Sequence, residues 1–189
     1  MIGNIAREVP TNLVRGNDVV WDDLRFPVTN IRITGTNPAS WETFNGFQVL
    51  GFEYQAVNDE QVYFIAQLPH GYKHGSNIRF HVHWTPQTDD SATVRWGFEY
   101  IWANKDDSLS GSSTTVYKDV AINGNAGDHL ITDIIEIDGT DKTLSSMLLC
   151  RLFRNSSHGN DDFDDIAYLL EADFHYQSDQ VGSRQEYIK

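Results

Sequence analysis

The chain has 189 residues, 40% hydrophobic and 12% aromatic, which supplies enough apolar surface for one folded core and argues against wholesale disorder. Fourteen Lys and Arg stand against 27 Asp and Glu, a formal net charge of −13. With no basic cluster to break that balance, the surface repels phosphate, so neither nucleic acid nor an anionic membrane is expected as a partner.

Residues 1–18 are polar and non-periodic, with Pro10 and Gly16, and read as an N-terminal arm of the kind that lies across a neighbouring subunit. No basic start followed by an apolar stretch signals secretion, and no apolar run is long enough for a membrane span, so synthesis in a cytoplasm is expected. Residues 19–189 read as a single domain. Within it, Phe47 to Val57 and Gln61 to Leu68 read as strands around the turn Asn58-Asp59-Glu60. Ile78, Phe80, Val82 and Trp84 alternate with Arg79, His81 and His83. After a polar loop, Val94, Trp96, Phe98, Tyr100 and Trp102 alternate in the same way. Matched apolar faces joined by a polar loop predict an antiparallel hairpin, with Arg79 opposite Glu99 and His81 opposite Gly97.

Further strands are expected over Thr115 to Ile122, Leu130 to Ile137 and Leu148 to Arg154. In the last long strand, Ile166, Tyr168, Leu170, Ala172, Phe174 and Tyr176 form the alternating apolar set. Asp141 to Leu149 offers one helical turn. About eight strands with little helix and unequal loops predict an all-β antiparallel sandwich of jelly-roll type.

Chemistry-bearing patterns are few. His81 and His83 are two apart on a strand, so both side chains leave one face, about 7 Å apart. Following Gly75, this spacing resembles the first half of the cupin metal motif. Gln87 and Thr88 stand where its Glu belongs, with only Asp89 and Asp90 nearby, and the second motif is not recognisable. His175 on the last strand is the one further imidazole in prospect. No metal or other cofactor is therefore expected, and His81, His83 and His175 are the candidates if one binds. The oxygen-rich loop 160–165 lacks the spacing of an EF-hand and reads as a solvated acidic loop rather than a Ca²⁺ site. Cys150 sits in the run Met147-Leu148-Leu149-Cys150 and reads as a small buried hydrophobe. No Gly-x-Ser-x-Gly elbow is present, so no catalysis is expected. Trp41, Trp84, Trp96 and Trp102, with an outward Tyr63, offer a sugar-stacking platform, whereas alternation assigns Trp84, Trp96 and Trp102 to the core.

The blocks Val62 to Lys73, Ile78 to Pro86 with its His-Val-His-Trp, and Val94 to Asn104 resemble a family of small jelly-roll structural proteins of tailed bacteriophages. The resemblance covers about residues 60–104, with a general likeness of strand layout beyond. It implies a virion component, a head decoration or spike or a tail-associated piece, homotrimeric and in contact with other virion proteins. In such a trimer the face bearing Arg79, His81, His83 and Glu99 is the candidate interface. Two other readings stand beside it. One is a cupin-like metal-binding enzyme using His81 and His83. The other is a carbohydrate- or receptor-binding module, which requires Trp or Tyr exposed at the surface.

Overall fold

The computed structural model describes residues 20–55 and 57–189. The expected arm, residues 1–18, lies outside the described residues. The described residues form ten strands: β1 (Val20–Pro27), β2 (Ser40–Phe44), β3 (Phe47–Phe52), β4 (Glu60–Gln67), β5 (Ile78–Pro86), β6 (Thr93–Ala103), β7 (Thr114–Ala121), β8 (Leu130–Ile137), β9 (Met147–Arg154) and β10 (Ala167–Ser178). A single 3₁₀ turn, Val28–Asn30, follows β1. The segment Asp141 to Leu149 forms turns leading into β9 and no helix.

The strands make two antiparallel sheets. One runs β2-β3-β10-β5-β8, with β1 pairing the same edge of β10 beyond β3, and the other runs β4-β9-β6-β7. This is the expected all-β sandwich of jelly-roll type, with two strands more than the pattern reveals. β1 and β2 escape notice because consecutive Asp22-Asp23 and the polar mix of Ser40 to Phe44 blur any period of two. The Asn45-Gly46 pair between β2 and β3 is the better signal. Both residues have positive φ, +50° and +86°, the geometry of a tight two-residue hairpin turn.

The expected hairpin of β5 with β6 is not formed. β5 lies between β10 and β8 in one sheet, and β6 lies between β9 and β7 in the other. Their apolar faces meet across the core instead. The Phe80 and Phe98 rings stack with centroids 3.8 Å apart, and Trp84 meets Trp96 edge-on at 5.7 Å. Alternation dictates which side chains point inward, and face-to-face packing satisfies it as fully as edge-to-edge pairing does. Arg79 therefore opposes Glu136 rather than Glu99.

Two β-bulges adjust the six-stranded sheet. In β10 the register against β5 slips between Leu169 and Glu171, and in β8 it slips beside the Phe80/His81 step of β5. The first inverts the phase of β10. Ala167 and Leu169 point inward before it, and Ala172, Phe174 and Tyr176 after it, whereas a single uninterrupted alternation from Ile166 was expected. Both bulges lie beside His81 and His83.

Candidate functional site

Each sheet turns one face to the core and the other outward, and the two outer faces carry different chemistry. On the four-stranded sheet, cross-strand register sets the outward residues in rows. Ile65, Leu149 and Ile101 form an apolar row. Tyr63, Arg151, Glu99 and Thr115 form the next, and Gln61, Phe153, Gly97 and Tyr117 the one after.

The middle row is held in one arrangement by hydrogen bonds. Arg151 Nε donates to Glu99 Oε2 at 2.7 Å, Arg151 Nη1 donates to Gln61 Oε1 at 2.7 Å, and the Ser113 hydroxyl donates to the other Glu99 oxygen. The bond from Ser113, together with that from Arg151 and opposed by partial burial, holds the Glu99 carboxyl below its usual range. Phe153, although on the outer face, is only 2% exposed. The far end of its ring occupies the space a side chain at Gly97 would take, with the Arg151 guanidinium 4.2 Å from its centroid and Tyr117 edge-on at 5.8 Å. Two adjoining clefts of about 410 and 360 Å³ share Tyr63 and Leu149. Arg151, Glu99, Ser113 and Ile101 line one, and Arg32, Thr34, Gly35 and Ile65 line the other. The result is a groove with an apolar floor and fixed polar groups along its side.

The outer face of the six-stranded sheet carries Arg79, His81 and His83 from β5 and Glu171, Asp173 and His175 from β10. β8 adds Asp133 and Glu136, and β1 adds Asp23 and Arg25. His81, His83 and His175 are thus brought together, while Glu99 stands on the opposite side of the sandwich. The expected interface set is split, because β5 and β6 belong to different sheets.

His81 is 4% exposed, with Nε2 2.7 Å from Asp133 Oδ1 and Nδ1 3.8 Å from Asp173 Oδ1. His83 Nε2 is 3.6 Å from that same oxygen, and His83 Nδ1 meets His129 Nε2 at 2.9 Å. His175 Nε2 lies 3.1 Å from both Asp173 Oδ2 and Asp23 Oδ1. Burial, reinforced by His175, pushes the His81 imidazole below its ordinary value, and burial pushes the Asp173 carboxyl up. Asp173 went unremarked in the sequence. Its signal is Asp173-x-His175, the same two-residue spacing as His81-x-His83, on the strand that pairs with β5.

The remaining expectations resolve simply. In loop 160–165, Asp161 is fully enclosed and ion-paired with Arg154 at 2.8 Å, and Asp162 accepts the Thr93 amide at 2.6 Å, so these two carboxylates serve the fold. Cys150 is buried, as expected, and burial raises its thiol well above the usual range. Trp84 and Trp96 are core, Trp102 is half-buried, and Trp41 is exposed at an edge. No helix among the described residues is long and apolar enough to cross a membrane.

No protein-family model matches the chain, and no curated protein matches it. Solved structures do resemble it. The CBM22-2 xylan-binding domain from Paenibacillus barcinonensis Xyn10C aligns at a TM-score of 0.46 and 12% identity, covering 82% of this chain and 98% of that one. The CBM36-1 domain of a multidomain xylanase from the hindgut metagenome of Trinervitermes trinervoides gives 0.44 and 10%, covering 81% and 96%. The carbohydrate-binding module TmCBM27, described with specific mannan recognition, gives 0.41 and 13%, covering 84% and 98%. The expectation of a bacteriophage structural protein is corrected by these findings, since the similar structures are carbohydrate-binding modules.

Proposed function

We propose that the chain is a non-catalytic module that binds a neutral oligosaccharide in the groove along Tyr63 and Leu149 on the four-stranded sheet. The observation that carries this reading is the hydrogen-bonded set of Gln61, Arg151, Glu99 and Ser113, whose bonds fix its polar groups before any ligand arrives, beside the apolar row Ile65–Leu149–Ile101. A sugar ring has an apolar C–H face and a rim of hydroxyls that both donate and accept. It needs a flat apolar or aromatic floor and planar polar side chains at its edge. Tyr63, an amide, a guanidinium and a carboxylate meet that need, and their fixed placement lowers the ordering cost of binding. The net charge of −13 argues for a neutral glycan over a sulfated or phosphorylated one.

Calorimetric titration with soluble xylo-, manno- and galacto-oligosaccharides tests the proposal. One of these classes is expected to bind with a Kd between about 10 μM and 1 mM. Tyr63→Ala and Arg151→Met each weaken that binding at least about tenfold, or 1.4 kcal/mol. Absence of binding to every class, or affinity unchanged in both variants, would refute it.

A further inference from the structure

Behind the proposed glycan groove, on the opposite face of the sandwich, two buried polar atoms lack any hydrogen-bond partner: Nδ1 of His81 and Oδ1 of Asp173. Their residues are only 4% and 2% exposed, and the atoms face one another at 3.8 Å. Because His81 Nε2 is engaged by the Asp133 carboxylate at 2.7 Å, the ring proton belongs on Nε2 and Nδ1 presents a lone pair. Asp173 Oδ1 is also a lone-pair atom. Two acceptors aimed at each other out of water are unfavourable unless a cation stands between them. A separation of 3.8 Å is too long for a hydrogen bond, yet close to the roughly 3.4 Å between two ligands held about 2.1 Å from a tetrahedral ion.

We infer that His81, Asp173 and His175, with His83 as the fourth donor, bind one divalent transition-metal ion of the zinc class. A ligating atom from each of the first three lies within 4.8 Å of the others. His83 Nε2 adds a fourth at 3.6 Å from Asp173 Oδ1. Three imidazoles and one carboxylate suit zinc, cobalt, nickel or copper, whereas calcium and magnesium take oxygen cages. Asp133 is the outer partner that orients the His81 ring, an arrangement common around metal-ligating histidines. A cleft of about 400 Å³ lined by His83, Asp173 and His175 gives the ion a path from solvent. The bulges in β8 and β10 have a purpose on this account, since the first brings Asp133 outward against His81 and the second sets Asp173 and His175 on the outer face.

The alternative is a polar network in which His175 bridges Asp23 and Asp173. It leaves the His81 and Asp173 orphans unexplained.

The test uses tag-free protein stripped with a chelator and titrated with ZnCl₂ against a chromophoric competitor, with metal content read by mass spectrometry. One zinc per chain with a Kd below about 1 μM is expected, with no saturable binding of Ca²⁺ or Mg²⁺. Co²⁺ is expected to give the intense visible bands of tetrahedral coordination. Asp173→Asn and His175→Gln, which keep side-chain size and should fold as shown by circular dichroism, weaken zinc by about a hundredfold. Asp133→Asn, acting through His81, weakens it by about tenfold to a hundredfold. Absence of stoichiometric zinc, or zinc affinity unchanged in the folded Asp173→Asn and His175→Gln proteins, overturns the inference. Oligosaccharide titration of the same stripped protein keeps this result separate from that for the groove.

Discussion

Gly97 is where packing and the proposed groove meet, and Gly97→Ala is the substitution whose outcome follows most directly from geometry. A Cβ at this position would lie 2.2 Å from Cζ and 2.3 Å from Cε2 of Phe153. Contacts that short do not persist, so either the ring swings away from the sheet or β6 and β9 move apart. Phe153 is 2% exposed, and returning a buried phenyl ring to water costs about 1.5–3 kcal/mol. Overpacking that strains the backbone instead costs about 1–3 kcal/mol, so both routes give about 2 kcal/mol. For a domain of this size that is a drop in Tm of roughly 4–8 °C, readable by circular dichroism or scanning calorimetry. Arg151 stacks on the displaced ring at 4.2 Å and would lose its registry with Glu99, so oligosaccharide affinity should fall with stability. In a double-mutant cycle, Phe153→Ala should cost markedly less in the Gly97→Ala background than in the wild type, because the clash is relieved. A Gly97→Ala protein as stable as wild type, or additive effects in the cycle, would show that the ring does not occupy this space.

Other outcomes follow from the same packing. Arg154 is fully enclosed and donates to both oxygens of Asp161 and to the carbonyls of Phe52, Phe163 and Asp165. Arg154→Met strands a buried carboxylate and should cost about 3–5 kcal/mol in urea unfolding. Burial pushes the Glu60 carboxyl up to about 7 from its ordinary 4.5. The native state therefore holds an extra proton across that window, and its advantage is present at pH 4.5 and lost as pH rises through 7, by up to about 3 kcal/mol. Glu60→Gln should flatten this dependence, so that denaturant midpoints of variant and wild type diverge between pH 5 and 8 in the variant's favour. Gly46 has φ +86° with open space around it, so Gly46→Ala should cost only the backbone strain of about 1 kcal/mol, seen as a small fall in Tm.

The inward faces were legible because hydrophobic alternation is a local property. Ile78 to Trp84 and Val94 to Trp102 identify their buried side chains directly. Which strands share a ladder was not legible, since Phe80 and Phe98 can meet by stacking across the core as readily as by lying on one sheet. That ambiguity produced the false pairing of Arg79 with Glu99, whose partners are Glu136 and Arg151. The bulge at Leu170 was also hidden, because Ile166, Tyr168 and Leu170 are as apolar as the inward Ala167 and Leu169. For the histidine cluster, the sequence displayed His81-x-His83 but not the partners supplied by distant strands. Asp173 and His175 arrive from β10 and Asp133 from β8, through sheet order that no local pattern encodes. In the groove, Tyr63 was recognised as outward, whereas Arg151 owes its importance to register with Glu99 from another strand.

Amide chemical-shift mapping of isotope-labelled protein during titration with the tightest-binding neutral oligosaccharide tests the glycan-binding account most directly. Perturbations are predicted to concentrate on Tyr63, Ile65, Glu99, Ile101, Leu149 and Arg151, leaving His81 and Asp173 unmoved. Perturbations confined to the six-stranded sheet, or none at saturating sugar, would contradict it.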